Sequence, residues 1–140
     1  MSHAPQSAAE AAGAKRIAGP VLAVASGKGG VGKTALSLAL AQAFSRRGQR
    51  TLLVDADLGM ANVDVQLGLN PAGDLGSIVA GRLTLPEAVA AACGGPARRG
   101  GFDVIAGPSG SGALASLDIS AVGRLAAGVA AASLDYERTL

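Results

Sequence analysis

Gly27-Lys28-Gly29-Gly30-Val31-Gly32-Lys33-Thr34 decides the fold of this chain. The octapeptide matches the pattern G-x-x-x-x-G-K-[ST], and each fixed position has a chemical reason. A triphosphate presents many anionic oxygens, and backbone N–H groups meet them when the chain wraps tightly around them. Glycine permits the wrapping, because it adopts positive φ and brings no Cβ against a phosphate. A helix that starts at the end of such a loop adds unsatisfied N–H groups and partial positive charge. Lys33 then reaches the β and γ phosphates, and the Thr34 hydroxyl ligates a metal ion. The ligand these residues specify is ATP with Mg²⁺.

The flanks supply the context the motif needs. Val21-Leu22-Ala23-Val24-Ala25 is an apolar run bounded by Pro20 and the glycine loop, which predicts a buried strand of a parallel sheet. After the loop, Leu36, Leu40 and Phe44 recur at spacing four, flanked by Ala35, Ala39 and Ala43, which predicts a helix. Arg46 and Arg47 suit its last turn, and Gly48 stops it. Thr51 to Val54 reads as a second buried strand ending at Asp55. Strand, loop, helix, strand is a βαβ unit, so the fold class is α/β, a parallel sheet flanked by helices.

Further along, Val63, Val65 and Leu67 alternate within a polar, turn-rich stretch. Short helices are expected at Leu75 to Ala80 and at Leu85 to Ala92, the second with Pro86 in its first turn. Cys93 to Gly101 reads as a loop and Phe102 to Ala106 as a third strand, closed by Gly107-Pro108. Loop Ser109 to Gly112 leads to helical residues from Ala113 to Leu117, and a longer helix spans Ile119 to Leu134. Tyr136 to Leu140 approaches another strand. Residues 1–19, rich in Ala with Pro, Gly and Ser, read as a mobile tail, and residues 20–140 as the nucleotide-binding part.

Composition fits this reading. Apolar residues make up 49% of the chain and aromatic residues 2%, so the core is aliphatic. The net charge of +2 is too small to argue for nucleic acid or membrane. The pairs Arg46-Arg47 and Arg98-Arg99 read as solvated surface. A single cysteine, Cys93, excludes an internal disulfide and fits a reducing cytoplasm.

Asp55-Ala56-Asp57 follows the second strand directly, where ligands collect in parallel sheets. With the backbone extended, both carboxylates face one side, available to Mg²⁺ and an attacking water. Strand-end capping and turn formation explain the same residues without chemistry.

The string Gly27 to Thr34, with its additional Lys28, resembles the deviant Walker A motif of the MinD/ParA family of P-loop ATPases. The segment Asp55-Ala56-Asp57-Leu58-Gly59-Met60-Ala61-Asn62-Val63-Asp64 resembles that family's switch I, above all in MinD and the flagellar-number regulators FlhG and FleN. The resemblance implies a SIMIBI-type fold and a nucleotide-dependent homodimer. It assigns Lys28 to the partner's nucleotide, Asp57 to the hydrolytic water, Asp55 to the Mg²⁺ shell and Asn62 to the nucleotide-sensing switch. The family's later strand ending in Asp, and its switch II, have no match after Asp57. Asp118 and Asp135 do not follow apolar strands, so the chain reads as the first half of the domain, truncated at its C-terminus.

The resemblance implies a regulatory ATPase acting on flagellar number or placement, with a protein partner from the flagellar or division machinery. Division-site placement and DNA partition are the neighbouring readings. Nucleic acid is not favoured, because no basic surface is concentrated in this half. Membrane contact would run through segments that are missing here. Other classes are an iron–sulfur carrier, which needs more cysteines than Cys93, and a module that binds nucleotide without hydrolysis.

Overall fold

The computed structural model describes residues 19–57, 61–108 and 118–140. The expected tail, the loop at Ser109 to Gly112 and the helical residues Ala113 to Leu117 fall outside the described residues, Gly19 excepted.

Helix α1 (Lys33–Arg46) leads to strand β1 (Thr51–Val54). Three short helices follow, α2 (Val63–Leu67), α3 (Leu75–Val79) and α4 (Leu85–Ala88). Strands β2 (Val89–Ala92) and β3 (Phe102–Ile105), helix α5 (Ile119–Ser133) and strand β4 (Arg138–Thr139) complete the order. The sheet runs β2-β3-β1-β4. β1 pairs parallel with β3, Leu53 opposite Val104, and parallel with β4, Leu52 opposite Thr139.

Alternation along the strands divides the core between two faces. Leu53, Phe102 and Val104 meet Ala41 of α1 and Val63 of α2, with Phe44 packed against them. Leu52 and Ile105 meet Leu75, Leu85 and Tyr136 on the other face, under α5. The result is helix, sheet, helix, as the glycine loop and its flanking runs predict.

Three expectations need correction. Residues 85–92 are not one helix. The helix ends after Ala88, and Val89 to Ala92 pair antiparallel with β3, so the sheet is mixed at that edge. The capping box between Thr84 and Glu87 starts the turn, but the main-chain bonds offered by β3 outweigh the helical preference of Ala90 to Ala92. The expected stripe of α1 is met only in part: Leu40 and Phe44 pack against the core, but the most buried positions lie beside it. Ala41 and Ser45 are buried while Leu36 is 53% exposed. Small side chains let the helix approach the sheet closely, and Leu36 points away.

The third correction concerns Val21 to Ala25. The run forms one parallel bridge, Val21 to Thr139, with the Leu22 N–H donating to the Thr139 carbonyl at 2.8 Å. Val21 is 58% exposed, so this is not a buried strand. Its neighbour β4 is two residues long. The alternation Val63, Val65, Leu67 lies in α2, with Val63 buried and Val65 exposed.

Candidate functional site

β1 delivers Asp55, Ala56 and Asp57 to the same end of the sheet at which the glycine loop turns into α1. Within the loop, Gly30 has φ 72° and Gly32 φ 91°, conformations L side chains rarely adopt. A Cβ on Gly27, Gly29, Gly30 or Gly32 would meet no protein atom within 4 Å. The protein leaves that space open, as a loop that admits phosphate oxygens against its backbone requires. The Ser26 hydroxyl accepts the Lys28 N–H and donates to the Lys28 carbonyl, both at 3.1 Å, which shapes the entrance. Lys28 and Val31 are exposed.

Gly32 is the N-cap of α1 and brings no side chain to its first N–H groups. Those donors face the loop, with the positive end of the helix dipole behind them. Lys33 and Thr34 stand half-buried at the head of α1 and line a cavity of about 810 Å³. Asp55 and Asp57 line the same cavity, as does Ser37 one turn below Thr34. The expected residues Lys33, Thr34, Asp55 and Asp57 therefore share one space. Ser37 and the shaping hydroxyl Ser26 went unmarked in the sequence, because a lone serine before or after the motif carries no distinctive signal.

Asp55 is 9% exposed, and its carboxylate has structural duties. Oδ1 accepts the Asp57 N–H at 3.1 Å, and Oδ2 accepts the N–H groups of Asn62 and Val63, both at 3.3 Å. It thus ties the segment after β1 to the start of α2. Of the two alternatives in the sequence, capping is the one these bonds make, and a carboxylate with about four acceptor positions keeps one free beyond them. Asn62 is exposed, and its Oδ1 accepts from Gln66 Nε2 at 3.1 Å. Residues 58–60 of the expected switch fall outside the described residues.

Gly107 completes the support. A Cβ there would lie 2.7 Å from the Asp55 carbonyl oxygen and 2.3 Å from the Ala61 Cβ, so only glycine fits behind Asp55. The sequence marked Gly107-Pro108 only as the end of a strand.

Nucleotide and metal fit these residues. No group of three or more His, Cys, Asp or Glu that could hold a metal exists among the described residues. Mg²⁺ does not need one, because it binds through one or two protein oxygens together with substrate phosphates and water. Thr34 and Asp55 are the residues that would supply those oxygens.

A glycine loop with these dihedral angles, feeding a helix beside carboxylates at the strand ends, defines a P-loop nucleotide-binding domain of the α/β class. Residues 22–136 match the family model described as CobQ/CobB/MinD/ParA nucleotide binding domain, and the chain belongs to that family. It is 51% identical over 75 residues to the antiactivator FleN of Pseudomonas aeruginosa, covering 54% of this chain and 27% of that protein. It is 42% identical over 73 residues to the septum site-determining protein MinD of Bacillus subtilis, covering 51% of this chain and 27% of that protein. Among solved structures, the cell division ATPase MinD of Pyrococcus furiosus superposes with a TM-score of 0.72 at 26% identity, over 87% of this chain and 48% of that one. MinD of Pyrococcus horikoshii, solved with Mg-ADP, gives 0.69 at 25% identity, over 86% and 46%. The chain thus matches about a quarter of those curated relatives and about half of those solved structures.

Proposed function

We propose that this chain is the nucleotide-binding part, residues 20–140, of a regulatory ATPase that binds MgATP, dimerises around it and hydrolyses it. The observation that carries the reading is that Lys33, Thr34, Asp55 and Asp57 line one cavity at the head of α1, next in sequence to a loop whose glycines leave open space against its backbone. Gly27 to Thr34 surround the phosphates. Lys33 neutralises charge on the β and γ phosphates, and Thr34 and Asp55 hold Mg²⁺. Asp57 orients the attacking water. Lys28, exposed at the loop entrance, reaches the nucleotide of the partner protomer, and Asn62 belongs to the switch that senses it. The identity to FleN supports control of flagellar number as the biological output. Its setting is the cytoplasm; no helix among the described residues is long and apolar enough to cross a membrane.

Calorimetry of MgATP with the 140-residue chain and with Lys33→Ala tests the reading. Lys33→Ala should lose most of the affinity, because it removes a charge-assisted contact to phosphate. Equal binding by parent and variant would overturn it. Phosphate release by the complete protein, with Lys28→Ala as the comparison, separates a dimerising ATPase from a module that only binds.

A second reading, placement of the division site, draws on the identity to MinD of Bacillus subtilis. Deletion in a flagellated host separates the two: a changed flagellar number supports the first reading and displaced septa the second.

A further inference from the structure

The end of the sheet away from the glycine loop gathers arginines that are far apart in sequence. Arg46 and Arg47 close α1, Arg50 leads into β1, Arg98 and Arg99 lie in the loop before β3, and Arg138 opens β4. These six are half of the chain's 12 Lys and Arg residues. Sequence alone reads them as scattered pairs; the fold joins them.

The contacts are specific. The Arg99 Nε–H donates to the Arg46 carbonyl at 3.2 Å. The buried Ser45 hydroxyl donates to the Gly101 carbonyl and accepts the Gly100 N–H at 3.0 Å, pinning the 93–101 loop to the end of α1. The N–H groups of Glu137 and Arg138 donate to the Arg50 carbonyl at 2.8 and 3.2 Å. The Arg50 guanidinium lies 5.2 Å from the Tyr136 ring centroid, and that of Arg138 lies 5.6 Å from the Phe44 ring centroid. Arg138 is half-buried and the other five arginines are exposed. The acidic residues at this end are Asp135, Glu137, whose Oε2 accepts the Arg50 N–H at 2.8 Å, and buried Asp103, which accepts the Tyr136 hydroxyl at 2.7 Å.

We propose that this face docks a segment of a partner protein rich in Asp and Glu. The guanidinium fork matches a carboxylate in two parallel hydrogen bonds, and rings beneath Arg50 and Arg138 hold two of the forks in place. Two features favour a peptide over a phosphodiester backbone. Glu137 interrupts the positive run that successive phosphates would follow. Leu134, 47% exposed at the end of α5 and next in sequence to Asp135, offers apolar contact to a peptide side chain. Base stacking is not provided, because Phe44 and Tyr136 lie under guanidiniums. The face is remote from the nucleotide loop, and the proposal does not depend on nucleotide binding.

Fluorescence anisotropy tests it, with the whole chain titrated into a short fluorescein-labelled peptide of repeating Glu-Glu-Leu. The parent should bind saturably. Arg47→Ala/Arg99→Ala should weaken binding about tenfold or more, and Arg47→Lys/Arg99→Lys should fall between them, because lysine keeps the charge and loses the fork. Arg82→Ala/Arg124→Ala, away from this face, should bind as the parent does. Absence of saturable binding by the parent would overturn the proposal, as would equal weakening by both alanine pairs. Tighter binding of labelled duplex DNA than of the peptide, lost with the same two arginines, would overturn it in favour of a nucleic-acid face.

Discussion

Phe102 to Ile105 and Val21 to Ala25 are both short apolar-rich runs ending near a glycine, and the fold treats them in opposite ways. All four residues of β3 are buried, paired with β1 on one side and β2 on the other. Val21 to Ala25 holds one bridge to β4, and Val21 and Leu22 are 58% and 42% exposed. Composition alone does not bury a strand; pairing along both edges and a helix over each face do. The difference also divides the work, since the two-sided strand anchors the core and the one-sided run carries the glycine loop at its end.

The largest test of that contrast is a pair of substitutions. Phe102→Ala removes a side chain 1% exposed between α1 and the sheet, and should cost about 3–5 kcal/mol in urea unfolding. Val21→Ser, on the open run, should stay within about 0.5 kcal/mol of the parent. Comparable losses would show that Val21 to Ala25 is as firmly built in as β3.

Tyr136→Phe sharpens the contrast on the other face of the sheet. Asp103 of β3 is 7% exposed and takes the Tyr136 hydroxyl at 2.7 Å. Without the hydroxyl a buried carboxylate loses its donor, which should cost about 1–3 kcal/mol. Burial and the Asp103 carboxylate push the Tyr136 phenol well above its ordinary value. It therefore stays protonated and donating through neutral pH, and the difference between parent and variant should not change between pH 6 and 9, a range far from that ionisation.

Gly30→Ala probes the open run's own loop. A Cβ there meets nothing within 4 Å, so packing does not resist it, but φ 72° does. The strain of a left-handed alanine is about 1–2 kcal/mol. Stability should fall by no more than that, whereas MgATP affinity should fall further, if the open space above the loop is where phosphate sits. An unchanged affinity would separate the loop's shape from its proposed use.

The sequence made the loop, α1, β1, β3 and α5 legible because each rests on local signals: a fixed motif, an apolar run of strand length, a helical period and a glycine stop. The expected site residues Lys33, Thr34, Asp55 and Asp57 came together for the same reason, since they belong to one βαβ unit. What stayed hidden depends on distant partners. Val89 to Ala92 became a strand through pairing with β3, against its local preference. Gly107 matters because Asp55 and Ala61 press against it, and the arginine face arises from four separate segments. Long-range contacts of this kind leave no periodicity to read.

The smallest expected effect lies at the head of α5, which walls the cavity opposite Val21 to Ala25. Asp118 caps the helix by accepting the Ala121 N–H at 2.6 Å and the Ser120 hydroxyl at 2.8 Å. Those two bonds favour the carboxylate and hold its pKa below the ordinary 3.8. A lowered pKa means that the cap's contribution is fully present above the ordinary value and fades as pH falls through the folded-state value. Asp118→Ala should therefore lower the melting temperature slightly at pH 7, and the gap to the parent should close below pH 3.8. Since the bonds involved are local to α5, β3 should be insensitive to the change. If hydrogen exchange in β3 quickened along with that in α5, the open side of the molecule and its buried strand would be one cooperative unit, and the contrast between them would be one of packing but not of stability.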